Sequence, residues 1–416
     1  MIRFADRRLD DEALANIASS MVTDGRIGLP LAAAHALCLS DPAEMIAAFL
    51  RIRSEGGSVM PLHPSTPEPA ARRQALKAGC RSLTFGTAAA IALEPDHPRA
   101  DFDHRLIQTS SGTTGEAKII SRSFASIETE IASYTQVFEA ARDLTPVVAC
   151  PVSHSYGLIC GLLAGLARGA EPLVIPPDNP KYVLSMLGEV ERPVLYAAPA
   201  FLHVAARFLK SGEMLHAAMT SGTLLPAPWF ETIRAKTHTL FQQYGCSEAG
   251  VIAVNQDLRR AEIMGRPLPH LTVTAGTPDS PAPILVETGT ERIDTRDLGH
   301  FDTGGLLHFD ARLDDTIIVS GLNVYPREVE DVALSMPGVG DAVVFGLDDA
   351  LAGGRVALIF EGTTSVSEAA LGAWCIGRLA AHQRPREIRR VPEIPRGPTG
   401  KISRREVRAR YAADTL

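Results

Sequence analysis

From about residue 104 onward, short apolar runs alternate with stretches of helical period. Arg105–Thr109, Pro146–Cys150, Pro172–Ile175, Pro193–Ala197 and Thr239–Gln242 have strand length and composition, with amphipathic segments between several of them. Strands alternating with helices predict an α/β architecture with a largely parallel sheet. The longest apolar tract, Tyr156–Ala167, is bounded by His154 and Arg168 and predicts a buried helix. Residues 1–100 are Ala-rich with helical spacing, broken by a Pro-containing loop from Met60 to Ala70. Between about 270 and 310 the helical period stops, and LTVTAG, APILVE and GLLHFD predict a β-rich subdomain.

The last hundred residues carry the same texture on a smaller scale. DTIIVSG, DAVVFGL and VALIFEG predict strands, and PREVEDVALSMPGV predicts an amphipathic helix with Pro326 near its start, where proline is tolerated. Ser403 and Glu406 have capping-box spacing, so ISRREVRARY is expected to open the final helix.

Composition narrows the class. The chain has 416 residues, 45% apolar and 21% charged, which is ordinary for globular proteins and too long for one core. Disorder, collagen-like repeats and a small disulfide scaffold are poor readings. With 41 Lys+Arg against 48 Asp+Glu, the formal charge of −7 argues against a general nucleic-acid binder. The start, MIRFADRRLDDEALANIASSMV, mixes charges of both signs and lacks a signal-peptide core. No uncharged apolar stretch reaches the roughly 18 residues of a membrane span, so a soluble cytoplasmic protein is expected. Cys38, Cys80, Cys150, Cys160, Cys246 and Cys375 form no C-x-x-C pair, and reduced, buried thiols are expected rather than a metal or disulfide framework. Charge is unevenly spread. Between Ala381 and Arg410, ten Lys/Arg stand against three Glu, a local +7 that leaves −14 elsewhere. Either the small unit meets something anionic or this is a solvated Arg-rich face.

The strongest local chemistry is Ser110-Ser111-Gly112-Thr113-Thr114-Gly115-Glu116-Ala117-Lys118, directly after the strand-like RLIQT. Glycines let backbone N–H groups turn inward, hydroxyls add donors, and the terminal lysine adds a compact positive charge. Such a loop suits a polyphosphate. It is not the NTPase P-loop, because the G-x-x-x-x-G-K-[ST] spacing is absent. Alone, the run reads equally well as a surface loop.

Four later segments change that. The loop is similar to TSGTTGxPKG of the adenylate-forming superfamily, with Ala117 for proline and Ile119 for the last glycine. Gln243-Tyr244-Gly245-Cys246-Ser247-Glu248 resembles that family's YGxTE. Thr295-Arg296-Asp297 followed by Ala311-Arg312-Leu313-Asp314-Asp315 resembles TGD…GRxDD, with arginine for glycine in the first part and Ala311 for glycine in the second. Ser320–Glu330 and Pro398-Thr399-Gly400-Lys401-Ile402 resemble the segment beyond the hinge and the catalytic-lysine motif. The motifs occur in family order over about 104–405. A nearby Thr303-Gly304-Gly305 lacks the carboxylate of TGD. The loop begins earlier than in long members, so the N-terminal region is short.

The resemblance implies an α/β fold: a large N-terminal adenylation domain of layered sheets and helices with a β-rich subdomain, 1–313, and a small, mobile α+β C-terminal domain, 314–416. It implies an AMP-forming acid–thiol ligase of the acyl-CoA synthetase type, using ATP and Mg²⁺. Lys401 would hold the carboxylate oxygen and α-phosphate together, with positioning and electrostatics dominating the step. Ser110–Lys118 would hold the β- and γ-phosphates, and Ser247 the α-phosphate. Glu248 would be the magnesium ligand, since Mg²⁺ takes hard oxygens and shares them with phosphates. Tyr244 would lie against adenine, and Asp297 and Arg312 would grip the ribose hydroxyls. Asp314 would be the hinge and the Gly321 segment would close the thiol channel, by a hinge-type swing that serves two reactions.

The acid is read from Pro151–Leu158, similar to the segment that borders the family's acyl pocket. Amino-acid-activating members place an aspartate here and none is present. His154, Tyr156, Ser221, Gly222 and Thr223, with Gly245 and Cys246, are the pocket candidates; they would recognise an aryl ring or its hydroxyl, or simply pack. The favoured acid is aromatic, such as a hydroxybenzoate, with an aliphatic or fatty acid as the alternative. The chain stops just past the lysine motif, so the acceptor thiol is expected on another molecule: coenzyme A, or else a stand-alone carrier protein. A non-catalytic nucleotide-binding relative and an enzyme passing the acyl group to an amine are the remaining alternatives.

Overall fold

The structure, a computed structural model, describes residues 1–95, 103–110, 118–319, 322–349, 353–397 and 402–416. The chain packs as two units. One comprises Met1–Ser221, Thr237–Asp257 and Leu268–Leu271; the other comprises Gly222–Lys236, Leu258–Pro267 and Thr272–Leu416.

The first unit is built on two sheets. In one, Leu173–Val174, Thr145–Ala149, Pro193–Ala197, Leu215–Thr220 and Thr237–Cys246 lie side by side in that order, all parallel. Gly250–Asn255 closes back antiparallel on the last of them. These strands are buried on both faces, so they read as continuous apolar runs such as PVVA and PVLYA. The tract at Tyr156–Ala167 is helical as expected, wound at π pitch to Leu163 and α thereafter. Gly161 lets it approach the sheet: a Cβ there would sit 2.8 Å from Val148 Cγ2.

The second sheet corrects the reading of the first hundred residues. Its order is Ile91–Ala92, Ser82–Phe85, Ala34–Cys38, Ser58–Pro61, Arg105–Ser110, Lys118–Ser123, parallel through the middle and antiparallel at both edges. Met60 and Pro61 therefore end a strand rather than begin a loop, and the helix Glu68–Lys77 starts within the stretch taken as loop. AHALC and SVMP are short and buried on both faces, so no period-2 signal survives to separate them from helix.

In the second unit Thr272–Thr274, Ala282–Glu287, Arg292–Phe301, Leu307–Arg312 and Ile263–Pro267 form the expected antiparallel subdomain. Arg292–Phe301 (RIDTRDLGHF) was not expected, because its charged residues mask the alternation. Thr303-Gly304-Gly305 is the turn after it, closed by Asp302 Oδ1, which accepts from the N–H groups of Gly304 and Leu306. Residues 317–416 form the smaller α+β array. A sheet of Val339–Asp349, Gly353–Gly362 and Glu387–Arg390 carries the helices Pro326–Leu334, Glu368–Ile376 and Arg404–Ala412. Alternate residues of one strand serve two cores: Val344 packs with Leu358 and Leu371, and Val343 and Phe345 with Ile359 and Val407. Ser403 caps the final helix through the Glu406 N–H, but the Glu406 carboxylate turns to Arg410, so only half of the box forms.

The local +7 is largely balanced within this array. Arg389 pairs with Asp414, Arg396 with Asp341, Arg408 with Asp348, Arg410 with Glu406, and Arg404 with both Asp315 and Glu330. Most of the carboxylates come from outside the basic stretch, which a linear charge count cannot show. Among the described residues, no helix is long and apolar enough to cross a membrane. All six cysteines are thiols, and burial pushes Cys38 and Cys375 up to about 11 and Cys80 to about 12.

Candidate active site

The carboxyl ends of adjacent parallel strands are where α/β sheets place ligands. In the first unit Ala149 pairs with Ala197, Tyr196 with Met219 and Thr220 with Gln242, so these strand ends are aligned. His154 and Tyr156 follow the end of Thr145–Ala149, Ser221 the end of Leu215–Thr220, and Ser247 and Glu248 the end of Thr237–Cys246. The Tyr156 hydroxyl donates to the Met219 carbonyl at 2.6 Å, and burial holds its pKa well above the phenol range. It ties two strands together, and its proton is committed. The His154 ring lies 5.9 Å from that of His63, centroid to centroid. Ser155 Oγ donates to Gln108 Oε1 at 2.6 Å, linking this segment to the other sheet. Gly222, at φ +90°, and Thr223 are exposed beyond Ser221.

The phosphate segment straddles a hairpin in which Ser110 pairs with Lys118. Ser111, Gly112, Thr113, Thr114 and Gly115 lie outside the described residues, as do Gly321 and Lys401. At the base, Lys118 Nζ stands 3.4 Å from Glu248 Oε1, joining two motifs 130 residues apart. Glu248 rides the turn between Thr237–Cys246 and Gly250–Asn255. A Cβ on Gly245 would stand 2.2 Å from the Gly250 carbonyl oxygen, so only glycine fits. The Ala249 N–H donates to Cys246 Sγ at 3.4 Å, so the Cys246 sulfur helps close the turn. Tyr244 is buried, and behind it Gln243 accepts from the Tyr134 hydroxyl at 2.9 Å and donates to Cys160 Sγ at 3.1 Å.

A buried ion pair lies under the same turn and was not anticipated. Arg122 Nη2 meets Glu130 Oε2 at 2.6 Å with side chains 7% and 2% exposed, and Glu130 Oε1 accepts from the Val251 N–H at 2.8 Å. A signal was present: in the helix Phe124–Val137, Glu130 falls on the buried face with Ile127 and Tyr134.

In the second unit Asp297 and Arg312 are cross-strand partners, with Arg312 Nη1 3.2 Å from Asp297 Oδ1. Asp297 is buried and Arg312 half exposed, so the carboxylate is held while the guanidinium fork reaches outward. Arg296, in the position of the family glycine, keeps a left-handed φ of +62° and binds Asp314 Oδ1 at 2.9 Å. Close behind Lys401 in sequence, Arg404 is anchored four ways: to both Glu330 oxygens, to Asp315 Oδ2 and to the Val344 carbonyl. Its charge persists because those partners outweigh the effect of burial.

Glu248 suits Mg²⁺. Among the described residues no cluster of three or more His, Cys, Asp or Glu could cage a metal, and Mg²⁺ characteristically takes one or two carboxylates and completes its octahedron with water and substrate phosphates. A partly exposed carboxylate beside the lysine of a phosphate segment offers that donor set.

Residues 86–275 match the AMP-binding enzymes, and residues 328–401 match the AMP-binding enzyme C-terminal domain. A 3,4-dihydroxybenzoate–[aryl-carrier protein] ligase of Bacillus anthracis is 37% identical over 372 residues, 89% of each chain. The chain belongs to the AMP-binding enzyme family. A long-chain-fatty-acid–CoA ligase of Mycobacterium tuberculosis (strain ATCC 25618 / H37Rv) is 27% identical, covering 80% of this chain and 73% of its own. The O-succinylbenzoate coenzyme A synthetase of Bacillus subtilis, solved with ATP and magnesium, shares the fold: TM-score 0.79 at 21% identity, over 98% of this chain and 96% of its own. Within this AMP-binding enzyme, Lys118 and Glu248 lie in the first matched stretch and Lys401 closes the second. Asp297, Arg312 and Asp314 fall between the two.

Proposed function

We propose that this AMP-binding enzyme activates an aromatic carboxylic acid of the hydroxybenzoate class with ATP and passes the acyl group to a thiol. The observation that carries the nucleotide half is the 3.4 Å approach of Lys118 to Glu248, which gathers a phosphate segment and a metal-suited carboxylate. A carboxylate oxygen of the substrate attacks the α-phosphorus, the bond to the bridging oxygen of pyrophosphate breaks, and acyl-AMP forms. A thiolate then attacks the acyl carbon, and AMP leaves with the electron pair. Lys118 neutralises phosphate charge, the Asp297–Arg312 pair takes the ribose hydroxyls, and Lys401 brings the carboxylate to the α-phosphate. Magnesium bound through Glu248 would supply the remaining charge neutralisation.

The aromatic choice rests on the absence of an aspartate in Pro151–Leu158 and on His154 beyond the strand end; Tyr156, its hydroxyl given to the Met219 carbonyl, shapes the segment instead. The dihydroxybenzoate ligase supports the same class, and it favours a carrier-protein thiol as acceptor. Coenzyme A is the second reading, supported by the fatty-acid ligase. We put the boundary between adenylating and mobile parts at 313/314, and the thiols, five of the six buried, suit the reducing cytoplasm.

The test is acid-dependent pyrophosphate release over aryl and aliphatic acids, 3,4-dihydroxybenzoate included. Each acid is run without acceptor, with coenzyme A and with an aryl carrier protein, and products are weighed by mass spectrometry. An aryl thioester on one thiol is expected. An aliphatic product would overturn the substrate class, an amide would overturn the thiol acceptor, and ATP binding without pyrophosphate release would mark a non-catalytic relative.

A further inference from the structure

We infer that the buried Arg122–Glu130 pair is a positioning clamp that fixes Glu248 against the end of the phosphate segment; this rests on the reading of Glu248 as the magnesium and phosphate residue. Side chains alternate along a strand, so Lys118, Ile120 and Arg122 project from one face of Lys118–Ser123. The two cations of that face reach opposite ends of one turn. Lys118 meets the Glu248 carboxylate at 3.4 Å. Arg122 meets Glu130 at 2.6 Å, and Glu130 in turn accepts the Val251 N–H at 2.8 Å, just past the turn.

Backbone packing makes the contact tight. Gly250 has a left-handed φ of +77°, and a Cβ there would stand 2.4 Å from Glu130 Oε2 and 2.6 Å from Arg122 Nη1. The turn's main chain therefore rests directly on the ion pair. A buried pair of this kind adds little net stability over apolar residues of equal volume, because desolvation offsets the attraction. What it supplies is position: the close ion pair holds Glu130 in place, and the charge-assisted bond from the Val251 N–H then fixes the turn against the helix. Glu130 and Arg122 touch no reacting atom, and they act through the main chain that carries Glu248.

The double variant Arg122→Met/Glu130→Leu replaces the charges with apolar volume but leaves the buried Val251 N–H without its acceptor, so it is expected to fold with a moderately lowered melting temperature. Its affinity for MgATP, measured by calorimetry without acid, should fall by about 10- to 100-fold, as for residues that orient metal ligands. The magnesium concentration for half-maximal activity should rise, with the KM for the acid unchanged. MgATP affinity within twofold of wild type in the folded variant would overturn the clamp. Glu130→Gln keeps an acceptor for the Val251 N–H and should retain most of the affinity; a loss as large as the double variant's would overturn the positioning role. If the double variant does not fold, Gly250→Ala pushes the turn off the pair and should weaken MgATP selectively, and unchanged affinity there overturns the inference. Because MgATP binding needs no acid, these outcomes stand apart from a failure of the ligase reading itself.

Discussion

The Lys118–Glu248 contact joins a largely exposed ammonium to a partly exposed carboxylate. Pairs in that setting are screened and add little to folding, so the contact matters for what it can bind. Glu248→Ala should leave the melting temperature within about 1–2 °C of wild type, in keeping with the small worth of surface pairs. It should also lower kcat/KM for MgATP by about 100-fold, the usual size of a lost electrostatic contact to developing charge. A large fall in melting temperature, with activity following it, would instead make the residue structural. The Asp297–Arg312 pair has a different character, because its carboxylate is buried and its register is set by two strands. Arg296 is the residue least expected in its place. It holds a backbone angle that glycine adopts freely, and its side chain reaches the residue read as the hinge.

Among the elements, the strand Ala34–Cys38 shows how a buried polar group is accommodated. His35 is nearly inaccessible, with Nδ1 2.7 Å from Ser82 Oγ and Nε2 3.1 Å from the Pro30 carbonyl. Burial lowers its pKa, against smaller opposing effects of the Pro30 and Leu31 backbone. Above the unfolded value of about 6.5 both states are neutral, and the stability is fully present. As pH falls below that value the unfolded chain takes the proton first, so stability is lost down through the folded value. His63, His203 and His270 are also lowered by burial and add to the same slope. His35→Gln should therefore be less stable than wild type at pH 7, and the gap in melting temperature should narrow between pH 7 and pH 5. A constant gap would mean His35 is not buried as the neutral form.

For the whole molecule, the two half-reactions should separate. On the proposed role of Lys401 in holding carboxylate and α-phosphate together, Lys401→Ala is expected to cut acid-dependent pyrophosphate release by at least about 100-fold. Thioester formation from supplied acyl-adenylate should stay within a few-fold of wild type. Equal loss in both assays would contradict a small domain that serves each reaction from its own position. Arg404 shows how the final helix is attached. Its bonds to Glu330, Asp315 and Val344 tie the start of the final helix to residues that follow Asp314 and to the strand Val339–Asp349.

The family and many of the element types are legible from the residues alone. Its motifs stand in order along the chain, Pro193–Ala197 is the strand its pattern predicts, and Ser403 caps the last helix. Periodicity failed where it had to. Ala34–Cys38 and Ser58–Pro61 are short, buried on both faces and poorer in the β-branched and aromatic residues that mark Pro193–Ala197 as strand, and Arg292–Phe301 hides its alternation under charge. Which side chains meet depends on the folded arrangement. Nothing local brings Lys118 to Glu248, places Arg122 and Glu130 under Gly250, or balances the basic C-terminal stretch with carboxylates drawn from elsewhere in the array. Those contacts depend on strand register and helix packing over long separations, and such distances are fixed by burying surface, not by the order of residues within any one segment.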